Sequence, residues 1–450
     1  MKRLLSFFMA MAVLAFVARP ALATDFTIGN DATARTLVDT YQNFVIIDTN
    51  NPAAFTGKLT SFSYHASNTN HFRFVLVDGL QVKWVSEEIT PVTVGVNTYT
   101  PSSPVSVNSG WNIGMYFVST GVIPFEYTGS PAQYTPNNYG LPVVGATLMQ
   151  EGTSGRTYSL GASGVYCTQT GFYRDGINMT AALINPTEAV SGDVNATGCN
   201  IGVYFDQSGV VDGANIYGSN YFGILAKTTA LNTDDIVVDI KNSNVHNIGE
   251  VPFNGSQHGV AVYLRAMNDT DDGHFKLTGE ISNNTVSAYQ KGGIVVNGLN
   301  ANVTVKNNEV EGANLSYITA ANSVQFGWGS SGLITHNNIG GNQWCGPSDY
   351  VATALLLMGG GKVDVIQNNI RGNSDVGLYA EINDSIINNN KIFDEGEDCN
   401  VNDYDYGLGN WGTSNLVTNN KVKGFDTPYD SVEGGKNKSI QGPQKINPWF

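Results

Sequence analysis

Six short phrases in the back half of the chain share one frame: Ser282-Asn-Asn-Thr-Val286, Lys306-Asn-Asn-Glu-Val310, His336-Asn-Asn-Ile339, Gln367-Asn-Asn-Ile370, Asn388-Asn-Asn-Lys-Ile392 and Thr418-Asn-Asn-Lys-Val422. In each, an Asn (284, 308, 337, 368, 390, 420) stands two residues before an aliphatic. Two earlier instances, Asn215-Ile216 and Asn244-Val245, keep only the adjacent Asn. From Ile216 to Val422 the eight aliphatics recur at a mean spacing of a little over 29 residues, and never closer than 22. A period with a firm lower limit and variable insertions marks stacked repeats. The segments between, such as Val303-Thr-Val305 and Val363-Asp-Val-Ile366, are too short and too Gly-broken for helices. About 22 residues suits one turn of three short strands and three bends. Repeats stack roughly 4.8 Å apart, so equivalent Asn side chains meet. Their amides can bond donor to acceptor up the stack, or bond the backbone of a left-handed bend that Asn tolerates.

The composition agrees. The 450 residues include 51 Gly and 50 Asn, and 23 of the Asn lie in residues 301–450. Only 14% of residues are charged, which excludes coiled coils, and 41% are hydrophobic, enough for a core. Residues 1–23 have the form of a cleavable export signal: Lys2 and Arg3, an apolar run from Leu4 to Val17, then Ala21-Leu-Ala23. Losing Lys2, Arg3 and Arg19 with it takes the formal charge from −15 to −18. No later stretch is long and apolar enough to span a bilayer. A secreted, extracellular or periplasmic location is expected.

Residues 24–163 show no repeat. Short apolar runs recur between turn residues: Phe44–Ile47, Phe72–Val77, Val82–Val85, Val92–Val96 and Ile113–Val118. This predicts an antiparallel β-sandwich. The stretch Gly110-Trp-Asn-Ile-Gly-Met-Tyr-Phe117, followed by Thr120-Gly-Val-Ile-Pro124, resembles a jelly-roll-like sandwich module of secreted bacterial proteins, which implies a binding-type accessory domain. Trp84, Trp111, Tyr116 and Tyr127 are either sugar-stacking or core aromatics.

The Asn-Asn-aliphatic repeat resembles that of right-handed parallel β-helix proteins of the pectate-lyase-like superfamily. The resemblance implies an all-β chain in which a sandwich precedes a right-handed parallel β-helix over residues 164–425, with a cap or tail at 426–450. It also implies action on polysaccharide, as a lyase or glycoside hydrolase. The Arg-x-Pro-x-x-Arg signature of pectate lyases is absent, and Gln257-His-Gly259 matches the Gly-His-Gly of polygalacturonases only in part.

Four cysteines and no Cys-x-x-Cys point to disulfides rather than a redox or zinc motif, with four thiols as the alternative. Cys345 and Cys399 follow their repeat aliphatics by six and seven residues, two repeats apart, so loops leaving one bend would join them. Cys167 and Cys199 precede the first clear repeat and would pin a capping turn or the junction between domains.

Two regions carry candidate chemistry. The largest insertion, between Val245 and Val286, holds His258 and Arg265, with Asp234 and Asp235 on its approach and Lys291 just beyond. A lyase would use His258 or Lys291 as base and Arg265 to neutralise a uronate; a glycosidase would use a carboxylate pair such as Asp234 and Asp235. The second region contains Asp394, Glu395, Glu397, Asp398, Asp403 and Asp405, flanked by Tyr404, Tyr406 and Trp411, with Trp344 across the expected disulfide. Clustered carboxylates suit Ca²⁺, and exposed aromatics suit sugars; a solvated acidic loop is the plainer alternative. The negative charge disfavours nucleic acid as partner. A non-catalytic glycan-binding or structural protein fits the same features.

Overall fold

The computed structural model describes residues 25–396, 399 and 404–440; residues 1–24, with the expected signal, and 441–450, with the end of the tail, lie outside them. The chain is all-β, with no helix among the described residues. Two antiparallel sheets form the front. One contains Asp25–Gly29, Gly57–Ala66, Gly95–Tyr99, Val105–Val107 and Leu160–Tyr166. The other contains Phe44–Asp48, Phe72–Asp78, Gln81–Val85, Asn112–Phe117, Phe125–Tyr134 and Gly152–Tyr158. They share one core, where Phe62 meets Phe74 at 4.9 Å between ring centres. Apolar alternation located the strands that bury their side chains. It misplaced Val92–Val96: Val92 and Val94 are exposed, and the strand begins at Gly95. Ser and Thr conceal the long strand Gly57–Ala66, which alternation alone does not reveal. Of the four candidate sugar-stacking aromatics, Tyr116 is buried, Trp84 stacks on Phe62 at 5.2 Å, Trp111 is partly buried, and Tyr127 is exposed.

Behind the sandwich, strands pair in parallel from one repeat to the next. An eleven-stranded sheet runs from Thr168–Arg174 to Thr427–Asp430, and only its first pairing is antiparallel. A seventeen-stranded sheet runs from Val190–Asn195 to Lys438–Ile440. The eight repeat aliphatics occupy one register column, Ile216 over Val245, Val286, Val310, Ile339, Ile370, Ile392 and Val422, and all are buried. A second column faces them from the other sheet: Val203, Ile224, Val262, Ile294, Val324, Leu355, Leu378 and Leu408.

The Asn ladder is present and buried. Asn284, Asn308, Asn337, Asn368 and Asn390 each donate from Nδ2 to Oδ1 of the next rung at 2.9–3.0 Å, ending on Asn420. Each Nδ2 also bonds a carbonyl one repeat back; that of Asn337, for example, reaches Val305 O at 2.9 Å. Each Oδ1 also accepts the backbone N–H of the preceding rung, as Asn337 Oδ1 does from Asn308 N at 2.9 Å. Two assignments are refined. The left-handed bend falls one residue before the ladder, on Asn283, Asn307, His336, Gln367, Asn389 and Asn419, so bend and ladder are separate jobs of adjacent residues. The ladder is also longer than its phrase. Ser243 takes the first rung, its N–H donating to Asn284 Oδ1, and Asn437 closes the far end at 3.1 Å from Asn420. Asn244 faces outward instead, donating to Asn215.

Both disulfides form as paired from the repeat. Cys167–Cys199 and Cys345–Cys399 each have a Cα–Cα separation of 5.5 Å. Two rungs are roughly 9.6 Å, so the loops, rather than the strands, close the second bridge.

Candidate functional site

The outer face of the eleven-stranded sheet carries a cleft of about 1070 Å³. Its floor comes from three successive strands in register: Phe222–Lys227, Val260–Arg265 and Gly292–Asn297. Their last residues, Lys227, Arg265 and Asn297, form one outward row. The neighbouring row brings Tyr204, Leu225 and Tyr263 into line. Inward-facing partners in the same strands are aliphatic, so alternation aims these polar and aromatic groups at the cleft. The walls are Phe172, Tyr173 and Arg174 at the end of the strand Thr168–Arg174 on one side, loops at Leu231 to Thr233 and Thr270 to Asp271 on another, and Trp328 at the end.

One buried carboxylate organises the floor. Asp272 is fully buried and meets Lys227 Nζ at 3.2 Å through Oδ1 and Arg265 Nε at 2.8 Å through Oδ2. Asp269 sets the turn, accepting the N–H groups of Asp271 and Asp272. Burial works against the Arg265 charge, but Asp272 and Tyr263 outweigh it and hold the guanidinium above its ordinary value. Asp269 Oδ2 also lies 3.6 Å from Arg265 Nη2, so Lys227 and Arg265 are fixed by two carboxylates at the cleft floor. Burial, reinforced by Asp206, pushes the Tyr204 hydroxyl up, so it is a neutral hydrogen-bond donor at physiological pH. Asn185 holds Asp206 at 2.6 Å. Tyr263 accepts from Asn297, whose Oδ1 accepts in turn from Gln325 at 3.2 Å, which extends the polar floor by one strand. The arrangement can grip sugar hydroxyls through amides and phenols and balance a carboxylate through Lys227 and Arg265.

Of the five candidate catalytic residues, the structure places only Arg265 in this cleft. Asp234 and Asp235 line a separate groove with Asp239; Asp235 accepts Lys276 N at 2.8 Å. His258 is buried, stacked on Tyr221 with ring centres 3.8 Å apart, and its Nε2 lies 2.7 Å from Glu250 Oε1. Lys291 is folded back onto Ala320 O, and burial pushes its ammonium below the ordinary lysine value. That shift has a sign. Between the lowered folded value and about 10.5, the unfolded chain binds the proton and the folded chain does not, so stability rises with pH across that window. We expect Lys291→Met to remove this alkaline gain, read as a urea-midpoint difference from wild type that narrows or reverses as pH climbs toward 10.5. A constant difference across that range would contradict it.

The acidic loop lies only partly within view: Glu397, Asp398 and Asp403 are outside the described residues. Asp394 Oδ1 accepts Gly396 N at 2.6 Å, Asp405 Oδ2 accepts Asp426 N at 3.0 Å, and Glu395 opens onto a groove beside Arg371. Among the described residues no three His, Cys, Asp or Glu side chains gather as a metal site. Trp344 is 6% exposed and donates to Ser348 O, so it offers no sugar-facing surface. Tyr404, Tyr406 and Trp411 do come together, and Tyr379 joins them 4.5 Å from Trp411. Tyr379 and Gly409, over which Trp411 lies, continue the outer face that carries the cleft.

The Asn-aliphatic phrases do not mark Lys227, Tyr204, Asp206, Tyr263 or Asn297. Aligning the other strand of each repeat, Phe222-Gly-Ile-Leu-Ala-Lys227 over Val260-Ala-Val-Tyr-Leu-Arg265 over Gly292-Gly-Ile-Val-Val-Asn297, would have exposed the row.

No protein-family model and no curated protein matches this chain. Among solved structures, the catalytic unit of a thermostable GH87 α-1,3-glucanase from Streptomyces thermodiastaticus strain HF3-3 is similar over 92% of this chain and 95% of its own, at 12% identity and a TM-score of 0.18. Superposition at that level bears on neither fold nor chemistry.

Proposed function

We propose that this is an exported right-handed parallel β-helix protein of the pectate-lyase-like kind, and that it receives a polysaccharide chain along the outer face of its eleven-stranded sheet. The observation that carries the reading is the cleft itself: aromatic walls, an amide and phenol floor, and two cations fixed by one buried Asp272. A chain lying along the sheet axis would run from this floor toward the Tyr379, Tyr406 and Trp411 cluster. Two disulfides fit an oxidising, extracellular setting. Among the described residues no helix is long and apolar enough to cross a membrane.

If the protein cleaves its ligand, Asp206 and Asp271 are the carboxylates that open onto the cleft, and Lys227 and Arg265 are the groups that would neutralise a uronate. A non-catalytic glycan-binding protein is the second reading. The specific observation for it is that His258, Lys291, Asp234 and Asp235 all lie outside the cleft. Calcium at the Asp394–Asp405 loop belongs to the same proposal.

The test is a panel of neutral and acidic polysaccharides incubated with the protein, with Ca²⁺ and with chelator. Elimination is read by ultraviolet absorbance of new double bonds, hydrolysis by reducing ends, and binding by calorimetry. We expect at least one polysaccharide to bind, and Arg265→Met to weaken it by about tenfold or more, as loss of one charge-assisted contact does. No binding across the panel, or binding indifferent to Arg265→Met and Tyr263→Ala alike, would remove the cleft from the account.

A further inference from the structure

Basic residues far apart in the sequence come together on one sheet face. On the third strand of the last repeats, Asn369, Lys391, Lys421 and Lys438 occupy successive rungs of one outward row. Arg371, Phe393, Lys423 and Ile440 form the row beside it. Between the two rows lie Ile370, Ile392 and Val422, all buried, so both rows must face out. Lys391, Lys421 and Lys438 are exposed, and none of them, nor Lys423 or Arg371, enters an ion pair among the described residues. The nearest carboxylate in the Lys row is Glu309, three rungs away, roughly 14 Å, and it is engaged by Asn338 at 2.8 Å. Glu395 shares a groove with Arg371.

Like charges on directly paired strands repel. In a chain of formal charge −15 with 38 acidic residues, three lysines on consecutive rungs, with no interleaved carboxylate among the described residues, form a positive stripe. The Lys-to-Lys repeat of roughly 4.8 Å matches a linear polymer carrying one anion per monomer.

We infer that this stripe docks a linear acidic polysaccharide, laid along the stack with successive carboxylates over Lys391, Lys421 and Lys438. Charge complementarity selects the occupant. A flat anionic membrane would bring the rest of this acidic protein against like charge. Single-stranded nucleic acid is held by aromatic platforms as well as cations, and the one ring here, Phe393, is only partly exposed beneath Arg371 at 5.6 Å. The stripe lies on the other sheet from the cleft and does not depend on it.

The test uses the full chain and sodium alginate as probe, with dextran and oligo-dT in parallel arms. Alginate should bind, with affinity falling roughly 20-fold between 50 and 200 mM salt for three released counterions. The triple variant Lys391→Gln, Lys421→Gln, Lys438→Gln should lose most of that binding and most of the salt dependence. The corresponding triple Arg variant should retain both. On the wild-type protein, alginate should protect Lys391, Lys421 and Lys438 from amine acylation, which keeps the test open even where a variant folds poorly. Absence of alginate binding at low salt, unchanged binding by the Gln variant, equal protection of all lysines, or tighter binding of oligo-dT than of alginate would each overturn the assignment.

Discussion

Asn337→Ala should lower the stability of the protein by about 3–5 kcal/mol, the cost of leaving buried polar groups unmet. Asn337 sits mid-ladder and is almost wholly buried. Its Nδ2 serves Asn368 Oδ1 and the carbonyls of Val305 and Thr335, and its Oδ1 takes both the backbone N–H and the Nδ2 of Asn308. Asn308 Nδ2 keeps other acceptors, but its backbone N–H does not, and Asn308 is itself buried. Two substitutions calibrate the effect. Asn437→Ala removes the last rung, where solvent can replace the lost bonds, and should cost about 1 kcal/mol. Asn338→Ala, one residue along, removes a solvent-facing amide and should stay within about 0.5 kcal/mol of wild type. Urea midpoints measure all three. Equal midpoints for Asn337→Ala and Asn338→Ala would mean that the ladder contributes nothing.

Breaking Cys345–Cys399 should be of similar size. The bridge closes a loop with a sequence separation of 54, and the chain-entropy argument gives about 4 kcal/mol for that length. It also holds two loops that the strands alone would leave roughly two rungs apart. The Cys345→Ser, Cys399→Ser variant should therefore unfold at lower urea than wild type, and reductant should shift wild type but leave the variant's dependence on this bridge at zero. Cys167–Cys199, with a separation of 32, should cost slightly less. An unchanged midpoint in the double Ser variant would contradict the assignment.

The difference between what the sequence revealed and what it concealed has a physical cause. A ladder rung must be the same residue each time, because each amide is its neighbour's partner; identity therefore repeats and the six phrases stand out. The buried columns repeat in character for the same reason. The outward row of the cleft is under no such constraint. Leu225, Tyr263, Val295, Gln325, Leu356 and Tyr379 share one register line with no common chemistry, and each answers to whatever lies above the sheet. His258 and Lys291 drew notice as reactive types near a long insertion, but insertion length does not say what a side chain meets: His258 is held by Tyr221 and Glu250, and Lys291 by Ala320 O. The lysines of the stripe stand apart in the sequence because their spacing, 30 and then 17 residues, reflects loop lengths; only register makes them neighbours.

The central claim is that a polysaccharide lies on the outer face of the eleven-stranded sheet. Hydrogen–deuterium exchange with and without the tightest-binding polysaccharide of the panel tests it most directly. The account predicts slowed exchange in the walls around Phe172 to Arg174 and Thr229 to Thr233 and in the strands ending at Lys227, Arg265 and Asn297, with the sandwich unchanged. Protection confined to the sandwich sheets, with the cleft strands indifferent to ligand, would contradict it.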